Sequence, residues 1–108
     1  TTFTAGSDAQ AAPNVSTPAT VSTATNSSLA SAATSAQLLA ANSARKGLIV
    51  RNSDANDLYL KYGTTATTAE SIRIPYNGYW EMPRPIYTGR IDAIWTADGS
   101  GSAIYTEL

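Results

Sequence analysis

Apolar positions are unevenly spread along the chain, and their spacing changes near residue 36. Beyond that point short apolar or alternating segments recur, divided by turn residues at roughly the 8- to 12-residue interval of a sandwich or barrel. The pattern predicts about seven strands: Ala36 to Ala41, Gly47 to Asn52, Leu58 to Tyr62, Ser71 to Ile74, Gly78 to Met82, Arg90 to Thr96 and Ser102 to Thr106. Successive side chains of a strand face opposite ways, so Leu58, Leu60 and Tyr62 share one face, with the Leu side turned inward. Ile72 and Ile74 flank an outward Arg73, and Ile91, Ala93 and Trp95 alternate with Asp92, Ile94 and Thr96. The unbroken run Leu48-Ile49-Val50 predicts a strand covered on both faces, by the opposing sheet and by a neighbour or the arm described below.

Turn chemistry bounds these segments. Residues 52–57, Asn-Ser-Asp-Ala-Asn-Asp, bond readily to their own backbone and read as a loop. Asn77-Gly78 accepts the positive φ of a two-residue hairpin turn, here between Ile72/Ile74 and Tyr79/Trp80. Residues 98–101, Asp-Gly-Ser-Gly, supply a turn before the last strand. Pro83 and Pro85 exclude regular pairing around Arg84, which predicts an edge or a crossover.

Residues 1–35 have a different texture: Thr, Ser and Ala dominate, and large apolar side chains are sparse. Phe3, Val15, Val21 and Leu29 are too few to offset the roughly 1–2 kcal/mol per residue that ordering a backbone costs. An Ala-rich helix over residues 29–41 is disfavoured by Ser and Thr, whose hydroxyls compete for backbone hydrogen bonds. The expectation is an extended N-terminal arm over 1–35 and a β domain over 36–108, with removal of the arm leaving the domain folded. The arm is either a linker or a segment that adds to a neighbouring sheet edge through main-chain bonds.

Charge sharpens the division, because Asp8 is the sole charged side chain before Arg45. A formal net charge of −1 supplies no basic field for nucleic acid. No apolar run approaches the ~20 residues that span a bilayer, and no basic start and apolar stretch opens the chain, so neither a membrane nor secretion is expected. The missing Met before Thr1 is read as initiator removal, with processing of a longer precursor as the alternative. The chain has no Cys and no His. That removes disulfides, thiolate nucleophiles and any Ser-His-Asp arrangement, so no catalytic residue, cofactor or metal is expected. A β domain of this size has a core worth only about 3–5 kcal/mol, and without disulfide or metal the remaining stabiliser is oligomerisation or docking.

Candidate chemistry is weighed against this background. Asp54 to Asp57 and Asp98 to Gly101 offer oxygen ligands in loops, yet match no complete calcium motif and read as turns. Glu70, Glu81, Asp92 and Glu107 single out no glycosidase pair. The aromatics Tyr76, Tyr79, Trp80, Tyr87, Trp95 and Tyr105 offer either a core, with Trp95 and one of Tyr79 or Trp80 buried, or a platform for sugar rings or a protein. Arg84 between two prolines, with Tyr87 and Arg90, reads as the rim of a protein contact or as a solvated loop. The candidate interface residues are thus Phe3, Val15, Val21, Leu29, Trp80, Arg84, Tyr87 and Arg90.

The segment Ala44-Arg-Lys-Gly-Leu-Ile-Val-Arg-Asn-Ser-Asp54, then Leu58-Tyr-Leu-Lys-Tyr-Gly63, Gly78-Tyr-Trp-Glu81, Tyr87-Thr-Gly89 and Ile91-Asp-Ala-Ile-Trp-Thr-Ala97, resembles small tailed-bacteriophage virion proteins. Capsid decoration or cement proteins are the nearest in texture. The resemblance covers roughly Gln37 to Leu108 and lies in strand and turn texture. It implies an all-β, jelly-roll-like antiparallel sandwich, a homodimer or trimer made in the host cytoplasm, that binds the outer capsid surface and bridges major capsid subunits. A receptor- or carbohydrate-binding module of a tail or head fibre, and a head-to-tail connector or completion protein, are the alternatives.

Overall fold

The computed structural model describes residues 20–108, and among these there is no helix. Eight strands are present: β1 (Thr25–Ala30), β2 (Ala36–Leu39), β3 (Leu48–Asn52), β4 (Leu58–Tyr62), β5 (Ile72–Ile74), β6 (Tyr79–Glu81), β7 (Ile91–Trp95) and β8 (Ser102–Glu107). Each of the seven expected segments carries a strand, and β1 is additional. They form two four-stranded antiparallel sheets, ordered β1-β8-β3-β6 and β2-β7-β4-β5. Every connection between consecutive strands therefore leaves one sheet for the other, except β4 to β5, which pair directly.

Alternation builds the core. Leu48 and Val50 from one sheet and Leu58, Leu60, Ile74, Ile91, Ala93 and Trp95 from the other are almost wholly buried in one cluster. Trp95 is buried as expected, Trp80 packs half-buried against the cluster, and Tyr79 stands 72% exposed. β7 departs from strict alternation because Asp92 on its outer side is buried as well. Ser35 donates to its carboxylate and Arg90 pairs with it at 2.7 Å.

Two expectations are corrected. The arm was expected to stay outside the domain as far as residue 35, yet β1 pairs with β8 from Thr25↔Glu107 to Ala30↔Ser102. Leu29 packs against the core of its own chain. The physical reason is that β8 has a free edge, and an uncharged Thr/Ser strand with one Leu satisfies its main-chain groups without a large core contribution. The turn at Asn77-Gly78 is not a hairpin, since β5 and β6 belong to different sheets. Pro75 cannot donate to a ladder, and the turn closes from Gly78 N–H to Pro75 O at 2.8 Å, with Asn77 at φ 62°. Asn77 N–H then donates to Asn52 O, and Asn52 N–H to Gly78 O, which passes the chain onto β3. The opposing sheet covers one face of the Leu48-Ile49-Val50 run, and Ile49 on the other face is 40% exposed among the described residues; the expected cover of that face by a neighbour or by the first part of the arm lies outside the described residues.

Candidate functional site

Two buried polar centres hold the loops that frame the surface. Arg45, in the segment leading to β3, has a side chain with no exposed area and pairs with Glu107 at 2.7 Å. Its remaining N–H groups donate to the carbonyls of Ala40, Tyr87 and Gly89 at 2.7–3.0 Å. A planar guanidinium with five donors suits such a hub, and Lys does not. Nothing in the Ala44-Arg45-Lys46 stretch distinguishes this buried arginine from its exposed neighbour.

The second centre joins three loops around Asn52 and Asp54. The Asn52 amide donates to Asn56 O and Ile74 O, while its oxygen accepts from Asp54 N–H and the Trp95 indole N–H. Asp54 accepts from the N–H groups of Asn56 and Gly101 and from the Asn56 amide. Burial by itself raises the Asp54 pKa, but these bonds and one with Ser31 outweigh it, and the carboxyl is held below its ordinary 3.8. A side chain at Gly101 would run into the Asp54 backbone, which explains a glycine there. Since the Asp54 oxygens face N–H donors, the loop uses its carboxylate to close a turn. Among the described residues no cluster of acidic side chains could hold a metal ion.

The outer face of the β1-β8-β3-β6 sheet is partly apolar. Pairing places Ser28, Ile104, Arg51 and Tyr79 in one row across the four strands, and Asn26, Thr106, Ile49 and Glu81 in the next. Ile49 thus has Ile104 and Tyr79 as diagonal neighbours, within reach of large side chains. These three are 40%, 38% and 72% exposed. Beside Ile49, Val21, Glu81, Arg84, Ile86 and Leu108 line a groove of about 200 Å³.

At the open margin between the sheets, Tyr62 at the end of β4 meets Trp80 of β6, with ring centroids 6.3 Å apart and planes inclined by 60°. Tyr87 stacks on Tyr62 at 4.3 Å and 2°. Burial raises the Tyr62 pKa, with Tyr87 adding to the effect and Arg45 opposing it, so the phenol stays protonated at neutral pH. Tyr62, Trp80 and Ile72 line a cleft of about 440 Å³, with Lys61, Glu70 and Ser71 at its polar side.

The sequence candidates therefore fall in separate places. Val21 and exposed Arg84 share the groove beside Ile49, whereas Trp80 and Tyr87 converge on Tyr62. Arg90 is paired with Asp92, and Leu29 is engaged with the core. Phe3 and Val15 lie outside the described residues. Tyr62 and Ile104 are sites that pattern reading missed, whereas Ile49 lies in the run read as covered by a neighbour or the arm. The one available signal was that Tyr62 continues the inward Leu58/Leu60 face at a strand end, where the opposing sheet no longer covers it. No protein-family model matches this chain, and comparison with curated proteins and with solved structures finds no similar protein.

Proposed function

We propose that this chain is a non-enzymatic structural protein of a virion that binds the outer surface of a phage capsid and stabilises it by bridging major capsid subunits. The observation that carries an attachment role is the outer face of the β1-β8-β3-β6 sheet, where Ile49, Ile104 and Tyr79 are exposed around Arg51 with polar Ser28, Asn26 and Glu81 at the margins. Aromatic side chains and arginine are enriched at protein interfaces relative to the rest of the surface. The capsid as partner comes from the sequence resemblance. The finer fold reading, a jelly-roll sandwich, is supported by the strand order: eight strands alternate between two four-stranded sheets as 1-8-3-6 and 2-7-4-5, and two-sheet jelly rolls recur in viral capsid proteins.

In this reading each copy contributes a modest interface, and repetition on the lattice multiplies it through avidity. Phe3, Val15 and Val21 of the arm, together with Arg84, extend the contact to a capsid subunit or to a second copy in a dimer or trimer. The test is the copy number relative to the major capsid protein in purified particles, with cryo-electron microscopy of the same particles. A regular lattice position is expected. Density confined to tail or neck would overturn the reading. Ile49→Asp should abolish particle binding while the isolated protein melts normally, since Ile49 lies outside the core. Unchanged particle binding by that variant would remove the sheet face from the interface.

A further inference from the structure

The cleft between the edge strands β5 and β6 has a chemistry that the attachment role does not use. Trp80 and Tyr62 form two walls of an aromatic corner inclined at 60°, and Tyr87 holds one face of Tyr62. The corner is thus set by packing before any ligand arrives, which lowers the ordering cost of binding. Polar groups stand beside these walls. Glu70 accepts from the Thr67 N–H and hydroxyl through Oε2 only. Among the described residues, its Oε1 has no hydrogen-bond or ion-pair partner. Ser71 adds a hydroxyl that both donates and accepts.

We propose that this cleft binds a non-acidic pyranose sugar, with its C–H face on Trp80 and its hydroxyls on Glu70 and Ser71. A pyranose combines a flat apolar face with a girdle of groups that donate and accept at once. Few other ligands need an aromatic wall, a carboxylate and a hydroxyl together. The Glu70 carboxylate at the rim disfavours an acidic sugar. A volume of about 440 Å³ lies in the range of small-ligand sites, ~300–1,000 Å³, and holds one or two rings. A polyproline peptide also docks on aromatic grooves, but it has no use for the carboxylate.

The site requires no particle, so it is tested on the isolated full chain, separately from the capsid reading. The 15N-labelled protein is titrated with the methyl glycosides of glucose, galactose, mannose and N-acetylglucosamine and with a polyproline peptide. With at least one sugar, saturable shifts are expected at the Trp80 indole N–H, Lys61, Ser71 and Ile72, while the core Trp95 indole stays unmoved. Trp80→Ala should weaken binding at least about tenfold, in line with the worth of a lost aromatic contact. Glu70→Gln should weaken it several-fold and keep the fold. Trp80→Phe keeps apolar packing, and Trp95 emission then reports whether the core is intact. The proposal is overturned by the absence of saturable shifts with every sugar at about 50 mM, by sugar binding that survives Trp80→Ala, or by peptide shifts in the cleft with no sugar response.

Discussion

Arg45→Met is the most informative single perturbation of the fold. The change keeps a long side chain of similar reach while removing a guanidinium with no exposed area. Glu107, whose side chain is 15% exposed, loses its counter-charge. The carbonyls of Ala40, Tyr87 and Gly89 lose their donors in the same step. Removing one partner of a buried pair costs about 3–5 kcal/mol, because the charge left behind stays desolvated. A domain of this size carries about 5–13 kcal/mol at roughly 0.05–0.15 kcal/mol per residue, so the variant forfeits a large share of its stability. Urea unfolding followed by Trp95 emission reads the loss directly, and the melting temperature should fall by at least about 12 °C. Arg45→Lys keeps the charge but cannot serve four acceptors, and should fall between the two. In a double-mutant cycle with Glu107→Gln the coupling should reach about 1–3 kcal/mol. An Arg45→Met protein within about 1 kcal/mol of the parent, or a coupling near zero, refutes the hub.

Three other outcomes follow from the same structure. Asn52→Ala leaves the Trp95 indole and two carbonyls without partners, and should cost about 2–4 kcal/mol with a shifted Trp95 emission; an unchanged urea midpoint contradicts the network. The Asp54 carboxyl lies below 3.8 in the folded chain, so the unfolded chain takes up its proton first as pH falls. Its stabilising contribution is complete above about pH 5 and is lost as pH drops through 3.8 and on through the folded value. Melting temperature against pH should therefore decline less steeply below pH 4 in Asp54→Asn than in the parent, and parallel curves exclude the argument. Deleting residues 1–35 removes β1 and partly buried Leu29, which should cost at least about 2 kcal/mol in urea unfolding; an unchanged midpoint means β1 adds nothing.

Composition and periodicity made the coarse architecture legible. The absence of His and Cys narrowed the chemistry at once, and alternation in Leu58-Tyr59-Leu60 and Ile91-Asp92-Ala93 marked strands and their inward faces without reference to any partner strand. These features are local: period-two alternation needs only the pleat, and turn residues declare themselves through backbone preference. Pairing is not local. The sequence around Asn77-Gly78 suits a hairpin, and only the bonds from Asn77 and Gly78 to Asn52 on a distant strand send β6 to the other sheet. Likewise Thr25–Ala30 carries almost no hydrophobic signal, and it is a strand because β8 offers it an unpaired edge. The same reasoning separates Arg45 from Lys46, neighbours of equal charge of which one is enclosed by its own loop, the β6–β7 loop and Glu107. It also explains the cleft, since Trp80 of one sheet meets Tyr62 and Glu70 of the other only once the two sheets are stacked. Strand positions and inward faces were thus decided by the order of side chains along the chain, whereas strand partners, the enclosed arginine and the surface sites were decided by packing between segments far apart in sequence.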